Sequence, residues 1–376
     1  MIGIDIRFMS RNMQRGKITS GTGLFCAEVL AGIVDCNRES DFKLIADSKQ
    51  IGLAKQLFSQ FSICEYNRLA EGRFRSVLKH IEEKRFRRFL ENNNIDFIWF
   101  PFATPYHFES TGTHCLLTIH DLIPVHEEKG SDSLKNSFLR LLNSGDNIVT
   151  VSEYVKQDIC NTYSTIDFRR INVIPNPVSL DISKCKEIKE LQTKQFILDI
   201  NAFQERKNVE TLICAFSEST LVESCDLVFC GGYNEDNYLE KMKALASEKG
   251  IENSVHFYLR ISLEERNWLI KNAAILVSPS LAEGFGRTPV EAMIACKPVI
   301  TSSLPVFIES TMGLANYYGD PKDIKSLSKS LESVYYNPTS DPILKEISRK
   351  LAEKYHPCTI AKQYLLIFDS WSTNNE

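Results

Sequence analysis

The sequence predicts an α/β protein made of two doubly wound domains, each a parallel sheet covered by helices. Short apolar runs alternate with amphipathic stretches along all 376 residues, and such alternation of strand and helix signals argues for parallel sheets. The alternation falls into two series with a proline-marked break between them. The length agrees, since a domain typically takes roughly 100–200 residues.

In the first series the strand candidates are 2–6, 42–46, 95–100, 115–119, 147–151 and 171–174, with helical patterns at 21–35, 51–60, 74–91, 133–143 and 153–162. The break is Ile174-Pro175-Asn176-Pro177, where two prolines can continue neither a helix nor a central strand. The polar stretch Ser183–Lys194, with six charged residues, reads as linker or surface. The second series has strands at 195–201, 226–230, 254–258, 274–278, 298–301 and 314–318, with helices that include 207–218, 235–249, 262–272 and 288–296. The segment Thr359–Trp371 is amphipathic, with Ile360, Tyr364, Leu365 and Phe368 on one face, and predicts a C-terminal helix packed on another element.

Composition narrows the function. Hydrophobic content of 43% and charged content of 24% are ordinary for a globular chain, and a net charge of −4 gives no pull toward nucleic acid. The 11 cysteines show no Cys-x-x-Cys spacing and no flanking His pair, so reduced thiols are expected rather than a disulfide framework or zinc site. The N-terminus reads as a strand rather than a signal peptide, and no apolar run approaches the roughly 18 residues of a membrane span.

In open α/β sheets ligands bind beyond the carboxyl ends of the strands, and with two such domains the cleft between them is the default site. Four segments follow strands and open helices. The most informative is Ser278-Pro-Ser-Leu-Ala-Glu283-Gly284-Phe285-Gly286-Arg287-Thr288-Pro289-Val-Glu291. Thr288 is expected to cap a helix with Pro289 at its first position. The helix start suits a phosphate, and Gly284 and Gly286 allow close approach to the backbone. Taken singly, Glu283 and Glu291 each read as a carboxylate steadying a helix start. Taken as Glu-x₇-Glu around Gly-Phe-Gly, they read as two points that hold one ligand.

This segment resembles the Glu-x₇-Glu signature of retaining glycosyltransferases of family 4 (glycosyl transferases group 1), whose usual wording is Glu-Gly-Phe-Gly-Leu-Pro-x-x-Glu. Arg287 and Thr288 stand here for the Leu and Pro, with Pro289 one step later. The resemblance implies a GT-B fold: two Rossmann-like domains facing across a cleft, residues 1–177 on the acceptor side, 178–356 binding the nucleotide-sugar donor, and 357–376 as a helix packing back on the N-terminal domain. It also implies that Glu283 contacts the donor sugar and Glu291 the ribose.

Three further segments extend the likeness. Phe196–Asn201, a loop, and Arg206-Lys207-Asn208 at a helix start read either as a strand before a solvated basic pair or as a strand before a diphosphate site. The family's strand–loop–Arg-Lys-Asn-helix motif favours the second, although many relatives carry Gly-Arg where this chain has Asn201-Ala202. Cys115–Ile119 delivers His120-Asp121 at a strand end. A lone His there is ordinarily a satisfied polar group, whereas by resemblance His120 reaches the transferred sugar and Asp121 braces it. Gly21-Thr22-Gly23 opens a helix, a weak phosphate signal alone, and matches the family's N-domain glycine loop at the donor phosphate. Before it, Ser10–Lys17 carries Arg11, Arg15 and Lys17, which suits an anionic acceptor.

Residues 73–90 combine an apolar stripe (Phe74, Val77, Leu78, Ile81, Phe89) with seven basic and two acidic residues, a local charge of +5. Such a helix packs its stripe on the sheet or lies on anionic lipid, at about 1 kcal/mol per basic residue, and the two readings are compatible. The family resemblance implies a metal-independent, retaining hexosyltransferase without cofactor. It would take GDP-mannose or a UDP-sugar, serve a glycan or lipid-linked acceptor in cell-surface polysaccharide synthesis, and work in the cytoplasm or at the inner membrane face. A catalytically silent GT-B subunit and a nucleotide-sugar epimerase are the alternatives.

Overall fold

A computed structural model describes residues 1–11, 13–14, 17–18, 21–69, 75–105, 113–127, 132–191, 194–232, 235 and 237–373. The chain forms two compact units, Met1–Pro177 with His356–Glu376, and Val178–Tyr355.

The strands of the first unit are β1 (Ile2–Asp5), the short hairpin β2 (Met13–Gln14) and β3 (Lys17–Ile18), β4 (Phe42–Ala46), β5 (Ser62–Glu65), β6 (Phe97–Phe100), β7 (His114–Ile119), β8 (Asn147–Thr150) and β9 (Ile171–Val173). Seven of them form a sheet in the order β5-β4-β1-β6-β7-β8-β9, with every pairing parallel. Its helices are α1 (Gly21–Asp35), α2 (Ile51–Leu57), α3 (Arg75–Asn92), α4 (Ile123–Glu127), α5 (Asp132–Ser144), α6 (Glu153–Thr162) and, from the far end of the chain, α14 (Pro357–Thr373). Buried side chains on α1 recur at Phe25, Val29, Leu30 and Ile33, the spacing of one helical face, and they share a core with Ile360, Tyr364 and Phe368 of α14. At Gly32 the two helices approach so closely that an added Cβ would lie 2.2 Å from the Pro357 carbonyl oxygen. Trp99 donates to the Thr118 hydroxyl at 2.9 Å, with the Tyr364 hydroxyl 3.5 Å from the same oxygen, so α14 also closes a buried polar chain under the sheet.

The α3 helix differs from expectation. Its buried face carries Glu82, Phe86 and Leu90, spaced by four, while Ile81 is exposed. Glu82 accepts from the Tyr66 hydroxyl at 2.6 Å and from the Leu69 amide at 2.8 Å. The Arg7 guanidinium, paired with Asp5, lies 4.5 Å from the Phe86 ring centroid. A satisfied buried carboxylate thus replaces Ile81 on the inward stripe. Arg73 and Phe74 lie outside the described residues, as do the side chains of Val77, Arg11, Arg15 and Lys17. No helix among the described residues is long and apolar enough to cross a membrane.

The second unit has β10 (Gln195–Ile200), β11 (Cys225–Gly231), β12 (Val255–Leu259), β13 (Ile275–Ser278), β14 (Val299–Ser302) and β15 (Asn316–Tyr318) in the order β12-β11-β10-β13-β14-β15, again all parallel. Its helices are α7 (Val209–Ser217), α8 (Tyr238–Glu248), α9 (Leu263–Asn272), α10 (Arg287–Ile294), α11 (Pro305–Ser310), α12 (Ile324–Tyr336) and α13 (Asp341–Lys354). Leu212, Ile213 and Phe216 of α7 pack with Leu327 and Leu331 of α12 and with the sheet residues Ile197, Leu227 and Val277 in one core.

Candidate functional site

In the second unit the strand order reverses between β10 and β13: β11 and β12 lie on one side, β14 and β15 on the other. Loops leaving the carboxyl ends of strands at such a reversal diverge and open a crevice for ligands. Here the two loops are tied together at their base. The Leu281 amide donates to the Arg206 carbonyl at 2.8 Å. Asn208, held left-handed at φ 57°, donates from its side chain to the Pro279 and Pro321 carbonyls at 3.0 and 2.7 Å.

That tie sets Lys207 against Glu283. The ammonium hydrogen-bonds Glu283 Oε1, the Ser280 hydroxyl donates to the same oxygen at 2.9 Å, and Arg206 Nη1 lies 3.6 Å from Oε2. Burial works against the Glu283 charge, but the Lys207 and Arg206 cations with the Lys207 and Ser280 hydrogen bonds hold its carboxyl below the usual range. Glu283 is therefore an anion with a fixed orientation, suited to accepting hydrogen bonds from hydroxyls rather than to donating a proton.

The helix after Glu283 starts earlier than expected. Thr288 is not its cap and Pro289 is not its first residue: α10 begins at Arg287, capped by Gly286 at φ 82°. An added Cβ at Gly286 would meet the Phe307 ring at 2.5 Å, so both the left-handed backbone and the packing demand glycine here. Pro289 is tolerated because the first-turn N–H groups have no partner inside a helix. Thr288 lies in that first turn, with Gly284 and Gly286 just before it. The Phe285 ring is buried and packs edge-on against Tyr355 at 5.4 Å, leaving only its backbone to face a ligand.

Glu291, one turn on, is clamped by two guanidiniums. Arg287 Nε donates to Oε1 at 2.7 Å, and Arg266 Nη2 of α9 pairs with Oε2. Burial opposes its charge too, yet Arg266 and Arg287 keep the carboxyl below its ordinary range. Sequence reading missed Arg266: it stands 25 residues away, on a helix whose only local signal is its Ser262–Glu265 capping box. It also missed Asp199, although an aspartate inside the apolar run Phe196-Ile-Leu-Asp-Ile is itself a signal.

In the first unit, the strand order reverses between β1 and β6. His120 follows β7. Its Nε2 donates to the Pro101 carbonyl at 2.9 Å, and its ring packs edge-on against Phe25 of α1 at 4.8 Å. Burial lowers its pKa to about 4, only partly offset by the Pro101 bond. The imidazole is thus neutral at pH 7, with Nδ1 as acceptor. Asp121 turns back to accept from the Ile123 amide at 3.1 Å, which braces the loop. Gly21 is the first residue of α1, where an added Cβ would meet nothing within 4 Å, and Gly23, two residues on in the same first turn, is buried.

These features define a GT-B-type protein: two Rossmann-like parallel-sheet units, with paired carboxylates and cations at the switch point of the second. The sequence matches the family models "Glycosyl transferases group 1" over residues 182–353 and "Glycosyltransferase Family 4" over residues 66–182. The chain belongs to this glycosyltransferase family. It is 28% identical over 227 residues (59% of the chain, 61% of the relative) to the O-antigen chain mannosyltransferase RfbU of Salmonella typhimurium. It is 28% identical over 250 residues (61% of the chain, 55% of the relative) to the alpha-1,3/1,6-mannosyltransferase ALG2 of Dictyostelium discoideum. These alignments thus span less than two thirds of the relatives' length. Among solved structures, Anabaena Alr3699/HepE in complex with UDP and glucose superposes with a TM-score of 0.73 at 16% identity, covering 98% of this chain and 99% of that one. A glycosyltransferase from Rickettsia africae superposes with a TM-score of 0.74 at 18% identity, covering 98% and 97%.

Proposed function

We propose that this protein transfers a hexose, with retention of anomeric configuration, from a nucleotide-diphosphate sugar to a glycan or lipid-linked acceptor in cell-surface polysaccharide synthesis. The observation that carries the proposal is the fixed, ionised Glu283 held by Lys207 and Arg206 beside the start of α10. A sugar hydroxyl would donate to Glu283. The diphosphate would lie against Lys207, Arg206 and the N–H groups of the α10 first turn, where charge develops as the C1–O bond breaks. Glu291 would accept from the ribose hydroxyls, since each of its oxygens keeps a lone pair beyond the arginine bond. The acceptor side is assigned to residues 1–177, where neutral His120 would accept a hydrogen bond from a hydroxyl of the transferred sugar. Relatives named as mannosyltransferases favour GDP-mannose, and a structural neighbour holding UDP keeps UDP-sugars in the test.

The test is a thermal-shift screen with GDP, UDP, GDP-mannose and UDP-glucose, followed by transfer assays with product anomers assigned by NMR. Stabilisation by one base family and an α-linked product from an α-linked donor are expected, and no shift with any of the four would overturn the reading. Because protein cations meet the leaving charge, EDTA should leave turnover unchanged; a loss restored by a divalent cation would refute metal independence. Glu291→Ala should weaken nucleotide affinity about tenfold, the cost of roughly one charged hydrogen bond. Glu283→Ala should mainly lower kcat. Equal, negligible effects of the two would refute the assigned roles.

A further inference from the structure

We propose that Asp199 is a protonation switch on the diphosphate end of the donor site: neutral, it leaves the Lys207–Arg206 cations in surplus for a diphosphate, and ionised, it cancels that surplus and weakens donor binding. The switch rests on the donor-site reading above and adds its regulation.

Asp199 is the fifth of the six residues of β10 and is 1% exposed. Its Oδ1 accepts a hydrogen bond from the Asn201 side chain, while Oδ2 is buried without a hydrogen-bond partner. An ionised carboxylate in that setting lacks the donors that would offset its lost hydration, so the neutral form is favoured. Burial accordingly raises the group to about 7, against the Asn201 hydrogen bond and the Lys207 charge and with the help of the Glu283 charge. It therefore changes charge in the neutral range, where an exposed aspartate is already fully ionised.

The titratable groups that interact electrostatically with Asp199 come from five elements: Lys207 from the turn after β10, Glu283 from the loop after β13, Tyr318 of β15, Tyr238 of α8 and Cys230 of β11. Burial pushes Tyr318 up and raises Tyr238 and Cys230 to about 12 each, so these three stay neutral near pH 7. With Arg206, which lies 3.6 Å from Glu283, the charges at this end of the site are Lys207, Arg206, Glu283 and Asp199. With Asp199 protonated, two cations and one carboxylate leave a net +1 for the diphosphate; with Asp199 ionised, the net is zero. His120 titrates near 4 and is neutral throughout the window concerned.

Titration calorimetry of the full chain with GDP-mannose and with UDP-glucose at pH 6, 7 and 8 tests the switch, because their diphosphate diesters do not titrate in that range. Wild-type affinity should fall roughly tenfold from pH 6 to pH 8, the weight of one nearby charge at an intermediate dielectric, with a midpoint near 7. Asp199→Asn, which mimics the neutral acid, should bind as tightly at pH 8 as wild type does at pH 6, and Asp199→Leu should also be flat with pH. Flat wild-type binding, or a slope that survives in D199N, overturns the switch and leaves the donor site standing. Absence of binding by both sugar nucleotides at pH 6 overturns the donor-site reading and the switch with it.

Discussion

At the scale of single residues, the altered wording between the two carboxylates has a physical account. Arg287 occupies the first position of α10 and spends its guanidinium on Glu291, four residues on, while Arg266 takes the other oxygen. The Arg266 half of this clamp was not legible in the sequence, because it comes from another helix, α9. Gly286 is the opposite case: a glycine between two strand–helix signals is legible, and the structure supplies the reason in its φ of 82° and the Phe307 ring 2.5 Å from any Cβ. Gly286→Ala should cost about 1–2 kcal/mol for the left-handed backbone and about 1–3 kcal/mol more for the overpacking. A stability loss below about 1 kcal/mol, read from the urea midpoint and slope, would show that the loop relaxes freely.

At the scale of elements, periodicity located the central strands and most of the helices that cover them, since a buried parallel strand and an amphipathic helix carry strong patterns. It did not find β5, an edge strand of four residues whose side chains are at most half-buried, so no alternation marks it. It placed the start of α10 late, because a cap made by backbone conformation leaves no side-chain signature. It put Ile81 on the inward stripe of α3 where Glu82 stands, because Glu82 is buried through bonds to Tyr66 and Leu69 that lie outside the helix. The C-terminal helix, by contrast, was legible as amphipathic, and its packing partner is α1. Ile360, Tyr364, Leu365 and Phe368 are each at most 6% exposed. At about 1.5–3 kcal/mol per buried side chain, they contribute an amount similar to the whole stability of a domain, about 5–15 kcal/mol. Deleting 357–376 should therefore leave residues 1–177 unfolded or insoluble, as read by circular dichroism and proteolysis. The milder Gly32→Ala, which drives a methyl into the Pro357 carbonyl, should lower stability by about 1–3 kcal/mol.

At the scale of the whole molecule, the two units keep separate cores, and the second holds three buried, shifted carboxyl groups, Asp199, Glu283 and Glu291, near one switch point. Their shifts run in opposite directions, which fixes the shape of its stability against pH. Glu283 and Glu291 are held below the ordinary carboxylate range by their cations. Their contribution is present above the unfolded value near 4.5 and is lost as pH falls through the folded one. Asp199 is raised from 3.8 to about 7. The folded unit holds that proton more tightly than the unfolded chain, so stability is lost as pH rises from about 4 to about 7 and is level above. At about 1.4 kcal/mol per pH unit, the loss is on the order of 4 kcal/mol. Residues 178–355 should thus be most stable in mildly acid solution. Hydrogen exchange of the β10 and β11 amides at matched intrinsic rates measures this unit apart from the other. Protection should fall between pH 5 and pH 7, and the fall should vanish in Asp199→Asn; equal protection at both pH values in the wild type would mean that Asp199 ionises like an exposed aspartate.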